Sequence, residues 1–291
     1  MMASATPVQH HLAEPTRSEA AASYSAFKAL LLRDLAVLKK NLGMFVARTI
    51  IQPFLLVFVF LYVFPQIGQG IGGSAGVRGE SSFATVLVAG VVGLSIMFQG
   101  IQAVALPLAN EFGYTGEIED RVLAPLPVSL VAIGKVVAGA IQGLLAAVIV
   151  FPIAWVVHAN GVQAHLSVHW PILLTLIPLA CIMCSSLGLA LGTRIQPRNI
   201  SAMFGFIVLP ITFLGGTYYP WTTLAAVEVG GFSWLQGLVC LNPLIYVTEG
   251  FRAALTTAPH MRLYLVYPVL LAFCALFLWA GVTGFRKRVL S

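Results

Sequence analysis

The chain has 291 residues, of which 59% are hydrophobic and only 9% charged, with a formal net charge of +6. Soluble domains carry about 25% charged residues, so this composition excludes an ordinary soluble protein and points to a chain solvated mainly by lipid. The positive balance is no footprint of nucleic acid either, because the basic residues flank apolar runs as topogenic charges do.

Residues 1–22, rich in Ala, Ser, Thr, Pro, His and Glu, predict a disordered cytoplasmic tail without the basic start and apolar core of a cleaved signal peptide. Tyr24, Phe27, Leu31, Leu35, Leu38 and Leu42 then recur three or four apart, which places them on one helical stripe. Arg33 and Lys40 lie opposite, and Lys28 and Lys39 sit at the edge, where long stems can snorkel. The pattern predicts an amphipathic basic helix over 23–42 lying in a membrane interface. It serves either as a plain anchor on anionic lipid or as a docking surface.

Six apolar stretches near the roughly 20 residues needed to cross a bilayer follow, at about 43–64, 83–109, 128–157, 171–193, 200–218 and 264–285. Segment 219–240 is broken by Pro220, Glu228, Gly230 and Gly231 and suits a re-entrant helical hairpin, since irregular backbone at membrane depth must be buried in protein. The expected fold class is an all-α membrane protein: six transmembrane helices, an N-terminal interface helix and a re-entrant hairpin before the last span. Orientation follows the basic residues. With the N-terminus inside, Lys28, Arg33, Lys39, Lys40, Arg48, Arg121, Lys135, Arg194, Arg198, Arg286, Lys287 and Arg288 fall on the cytoplasmic side. Arg78, Arg252 and Arg262 fall outside, so both termini are expected in the cytoplasm.

The loop at 110–127 gathers Glu111, Glu117, Glu119 and Asp120. It is either a solvated turn or a short helix in which Gly116 supplies the turn and acids favour the helix N-terminus, closed by Pro125 and Pro127. Cys181 and Cys184 form a C-x-x-C without a second ligand pair, and read as small residues on a membrane helix. His158, His165 and His169 share an outer loop, read as a wet loop rather than a metal site. Glu249 and Arg252, spaced i, i+3, can pair on one helix face. They either satisfy each other at the outer interface or gate an outer exit.

Three segments, taken in order, resemble the ABC-2-type permeases, the membrane subunits of ABC exporters. In the first loop Glu111, Gly116, Ile118, Glu119, Pro125, Gly134 and Lys135 follow the family's order, with Glu117 where members more often have Thr. In the second, Pro210 lies in the fifth span, followed by the Gly215-Gly216 turn and the Tyr219-Pro220 step. The third is the run Leu241 to Arg252, with Asn242, Pro243, Glu249 and Arg252. Arg198-Asn199 also looks like the family's short cytoplasmic turn. The resemblance implies a permease paired with a separate ATPase subunit, as a homodimer or beside a second permease, in a plasma (inner) membrane. It further implies that Glu111, Gly116, Glu119 and Asp120 face the ATPase. Pro210, Gly215, Gly216, Pro220, Asn242, Pro243, Glu249 and Arg252 would form the re-entrant turn and outer gate.

The chain has no phosphate loop: Gly134-Lys135 is followed by Val136 and lacks the glycine lead. It therefore reads as a non-catalytic subunit without cofactor or metal, energised by a partner. The cargo expected is a drug-like or lipid-like amphiphile, as for actinomycete antibiotic exporters, or alternatively a lipid-linked polysaccharide or other envelope glycoconjugate. An intramembrane enzyme is disfavoured, because Gly93-Leu94-Ser95 has no facing histidine to act as base. A secondary carrier or channel is disfavoured because the spans are nearly free of acids for ion coupling.

Overall fold

The first long apolar run after the basic stripe sets the architecture, because a chain in lipid must satisfy its backbone within helices. A computed structural model describes residues 19–67, 76–115, 126–157, 164–228 and 233–289, and among these the structure is helical with no strand. Helix α1 (Glu19–Lys40) begins within the segment expected to be a tail. Among the described residues five further helices are long and apolar enough to cross a membrane. They are α2 (Leu42–Gln66), α3 (Gly76–Asn110), α4 (Val128–Val156), α5 (Trp170–Arg194) and α6 (Leu263–Val289).

Helix α3 is the axis of the bundle. Its apolar stretch is almost wholly buried by its neighbours, whereas α2 and α6 leave most of their surface open, with Ile51, Phe54, Leu55, Leu271, Leu276 and Trp279 exposed. Those faces suit lipid. Small residues let α3 and α5 meet closely, as membrane helices do without a hydrophobic drive between them. A Cβ on Gly188 would sit 2.9 Å from the Cα of Ile101, and one on Gly192 would sit 3.0 Å from the Cα of Ala105. Cys184 lies at the same contact against Gly100, while Cys181 faces Gly143 of α4, and both are buried free thiols.

The stretch expected as a fifth span takes a different form. Its helix runs only over 200–213, as Ile200–Met203, a π-wound turn Phe204–Val208 and Leu209–Phe213. At 1.5 Å per residue that is about 21 Å, short of a hydrocarbon core of about 30 Å. The π turn directly precedes Pro210, whose ring would clash with the carbonyl four residues back in a regular helix. Two further π-wound stretches, Phe58–Val63 and Glu111–Thr115, instead follow a proline, Pro53 and Pro107, by a few residues.

After the turn at 214–219 come a 3₁₀ helix, Trp221–Ala226, and helix α7 (Trp234–Val239). The two pieces are tied by hydrogen bonds from Trp221 Nε1 to the Gln236 carbonyl and from Gln236 Nε2 to the Trp221 carbonyl, each 3.4 Å. Helix α8 (Pro243–Leu255) follows and is buried along its whole length. Asn242 is its N-cap, accepting from Leu244 N at 3.0 Å, and Pro243 occupies the first helical position, where a missing N–H costs nothing.

Candidate functional site

Four polar side chains of the Asn242–Arg252 segment hold the broken end of the 200–213 helix. Asn242 Nδ2 donates to the Ile211 carbonyl at 2.7 Å, and Thr248 Oγ1 donates to the Gly215 carbonyl at 2.6 Å. Arg252 Nη2 donates to the carbonyls of Gly216 at 2.7 Å and Tyr219 at 3.4 Å. Arg252 Nη1 pairs with Glu249 Oε1, and the same oxygen accepts from Trp221 N at 2.7 Å. Glu249 Oε2 accepts from Met261 N at 2.6 Å. Both side chains are fully buried.

A bend in apolar surroundings leaves carbonyls and N–H groups without helical partners, each costly to bury unbonded. The Asn242–Arg252 segment supplies those partners from one rigid element. Gly216 adopts φ 66°, the left-handed conformation that a side chain resists, and this reverses the chain at the bend. Thus Asn242, Pro243, Glu249, Arg252, Pro210, Gly215, Gly216 and Pro220 gather in one place, with Pro220 capping the 3₁₀ helix. The i, i+3 pairing of Glu249 and Arg252 is present, and both side chains lie in the protein core. Thr248, which the sequence reading passed over, belongs to the set. Its signal was the i, i+4 spacing to Arg252, on the same helix face.

A second cluster lies at the other functional segment. Glu111 is buried at the end of α3 and accepts from Lys135 Nζ of α4 at 2.7 Å. Phe112 packs on Phe285 of α6, ring centroids 5.8 Å apart, beneath the Arg288 guanidinium at 4.5 Å. Arg288 Nη1 in turn donates to the carbonyls of Gly192, Thr193 and Ile195, at 3.0–3.3 Å, at the C-terminal end of α5. A Cβ on Gly113 would approach Pro197 Cβ to 2.6 Å. The root of the loop is thereby fixed to α4, α5, α6 and the turn at Pro197. Gly116, Glu119 and Asp120 lie outside the described residues. Phe112 and Arg288 carried no sequence signal, since each reads as an ordinary helix-end residue until the fold joins them.

On α1, the half-buried positions recur as Ala26, Phe27, Leu30, Leu31, Asp34, Leu35 and Leu38, while Arg33, Lys39, Tyr24 and Leu42 are exposed. Phe27 reaches within about 3.5 Å of where a Cβ on Gly134 would stand, so the stripe packs on α4. His165 and His169 lie on an extended segment whose N–H groups at Ser167 and His169 bond the carbonyls of Leu255 and Ala254; His158 is outside the described residues. Among the described residues no three His, Cys, Asp or Glu side chains converge as a metal would require.

A helical membrane bundle with a buried, ion-paired helix bracing a broken segment is the class of protein defined here. Residues 25–256 match the ABC-2 type transporter family, and the chain belongs to it. The chain is also 26% identical over 233 residues to the inner membrane transport permease YadH of Escherichia coli K12, a match covering 79% of this chain and 84% of that one. The YadH proteins of Escherichia coli O157:H7 and Shigella flexneri match to the same extent.

Proposed function

We propose that the chain is the membrane-spanning permease subunit of an ATP-driven exporter, working with a separate ATPase chain and carrying a drug-like or lipid-like amphiphile outward across the inner membrane. The family and the relatives' description as inner membrane transport permeases support this reading. The observation that carries the mechanism is the fixed root of the loop after α3. A short charged segment transmits force only if its base is held, and Glu111–Lys135, Phe112–Arg288 and the Gly113–Pro197 contact hold it to three spans and a turn. Gly116, Glu119 and Asp120 then present the surface on which the ATPase pushes, assisted by α1 in the membrane interface.

The helix at 200–213, extended by its braced turn, serves as the sixth crossing, and 219–240 forms a re-entrant hairpin at the outer side. In a dimer of permeases, or a pair with a second permease, closure of the ATPases shifts the loop. The bundle then opens beside α2, α3 and 200–213, and the cargo leaves through the hairpin region braced by Glu249 and Arg252. The test is purification of the complex. The isolated chain hydrolyses no ATP and a nucleotide-binding subunit co-purifies with it; robust hydrolysis by the chain alone overturns the subunit reading.

A further inference from the structure

A cavity of about 470 Å³ opens between α1, α2, α3 and α4, at the end of the bundle where α1 lies. Its polar lining consists mainly of Arg33, Asp34, Arg48, Glu111, Lys135 and Gln142. Lys135 is committed to Glu111, and Arg33 lies 4.0 Å from Asp34. Arg48 differs: no hydrogen bond or ion pair among the described residues engages its guanidinium. It stands roughly 9 Å along α2 from Leu42, counting 1.5 Å per residue, inside a helix otherwise free of charge. Its side chain is exposed, so the guanidinium is open to an approaching anion, with which it makes charge-assisted hydrogen bonds.

Deeper in, the cavity ends on a polar chain that crosses three helices. Thr49 Oγ1 donates to Gln99 Oε1 at 3.2 Å, and Gln99 Nε2 donates to Gln142 Oε1 at 3.3 Å. The carbonyl of Gln142 is thus used, and its NH₂ is the end left to donate into the cavity. Beside the mouth, Met44, Ile51 and Leu55 of α2 are exposed apolar surface. A guanidinium and an amide donor set beside a lipid-facing apolar strip match a ligand with an anionic head and hydrocarbon tails.

We propose that this cavity binds the phosphate head group of an anionic membrane lipid, held by Arg48 and Gln142, with its tails along the exposed face of α2. The site stands apart from the export reading, since binding needs neither ATPase nor transport. Its test is native mass spectrometry of the purified full-length chain, with phosphatidylglycerol and phosphatidylcholine of identical acyl chains. The wild type retains phosphatidylglycerol in preference, and Arg48→Gln lowers that retention at least about tenfold, as loss of a charge-assisted hydrogen bond requires. Arg48→Lys, which keeps the charge, retains most of it, and so does Lys40→Gln, which removes an exposed charge on α1. Equal retention by Arg48→Gln and wild type overturns the site. An equal loss in Lys40→Gln shows diffuse surface attraction and overturns it too. Displacement of the lipid from wild type by excess inorganic phosphate marks a site for free anions and overturns the lipid assignment, a measurement that needs no variant to fold.

Discussion

Glu249 and Arg252 stand one helical turn apart, both without solvent exposure, and the carboxylate that pairs with the guanidinium also accepts the backbone N–H groups of Trp221 and Met261. One ion pair thus joins α8 to the segments on either side of it. Removing one partner of a buried pair typically costs about 3–5 kcal/mol, because the other is left charged and unpaired. Arg252→Leu is expected to lose stability on that scale and to expose the 214–220 turn to protease. Glu249→Gln is expected to fare little better, since its amide offers an N–H where Met261 N or Trp221 N needs an acceptor. Thermal unfolding in detergent with limited proteolysis checks both; a wild-type melting curve for either variant removes the brace.

Gly216→Ala is expected to destabilise by at least about 1–2 kcal/mol from the left-handed backbone alone, and its Cβ would also collide with the Ile245 side chain. Gly205 lies one bend earlier and a Cβ there meets nothing within 4 Å. Gly205→Ala is therefore neutral or slightly stabilising, in line with a helix propensity gain of about 1 kcal/mol. Paired melting temperatures decide the comparison.

Gly188→Leu is expected to separate α3 from α5, because the Cβ alone already presses on the Ile101 backbone. Overpacking of a tight core costs about 1–3 kcal/mol or more. Fluorescence-detected gel filtration after heating reads it as a lower yield of monodisperse protein, whereas Gly237→Leu, whose Cβ would meet nothing within 4 Å, elutes normally.

The proposed orientation predicts that cysteines introduced at positions 121 and 291 resist an impermeant thiol reagent applied from outside intact cells, while those at 74 and 161 react. Labelling at 121 from outside reverses the topology.

The long spans were legible because the bilayer dictates their length: α2 to α6 fall within a few residues of the apolar runs, apart from the longer N-terminal reach of α3. The bend at Gly215-Gly216 and Pro220 was legible too, but not the end of the helix at Phe213, five residues short of the expected span. Its composition stays apolar through Leu214, and the groups that stabilise the bend, Asn242, Thr248 and Arg252, lie about thirty residues or more further along the chain. Spacing showed that Glu249 and Arg252 could pair, but not that the helix carrying them would be buried along its whole length. In the first loop, order along the chain brought Glu111 and Lys135 into one motif. Their direct pairing, and the seat of Phe112 under Arg288, depend on how α3, α4 and α6 converge.

The loop after α3 is proposed to carry force from the ATPase to the bundle. The direct measurement is ATP hydrolysis and cargo export by the reconstituted complex carrying Glu119→Lys, beside Gly116→Trp. A change at a merely solvated site shifts stability by about ±0.5 kcal/mol and nothing else. The account predicts normal membrane insertion, with ATPase association weakened or hydrolysis uncoupled from export. Normal export and normal association in both variants would contradict it and leave α1 as the coupling element.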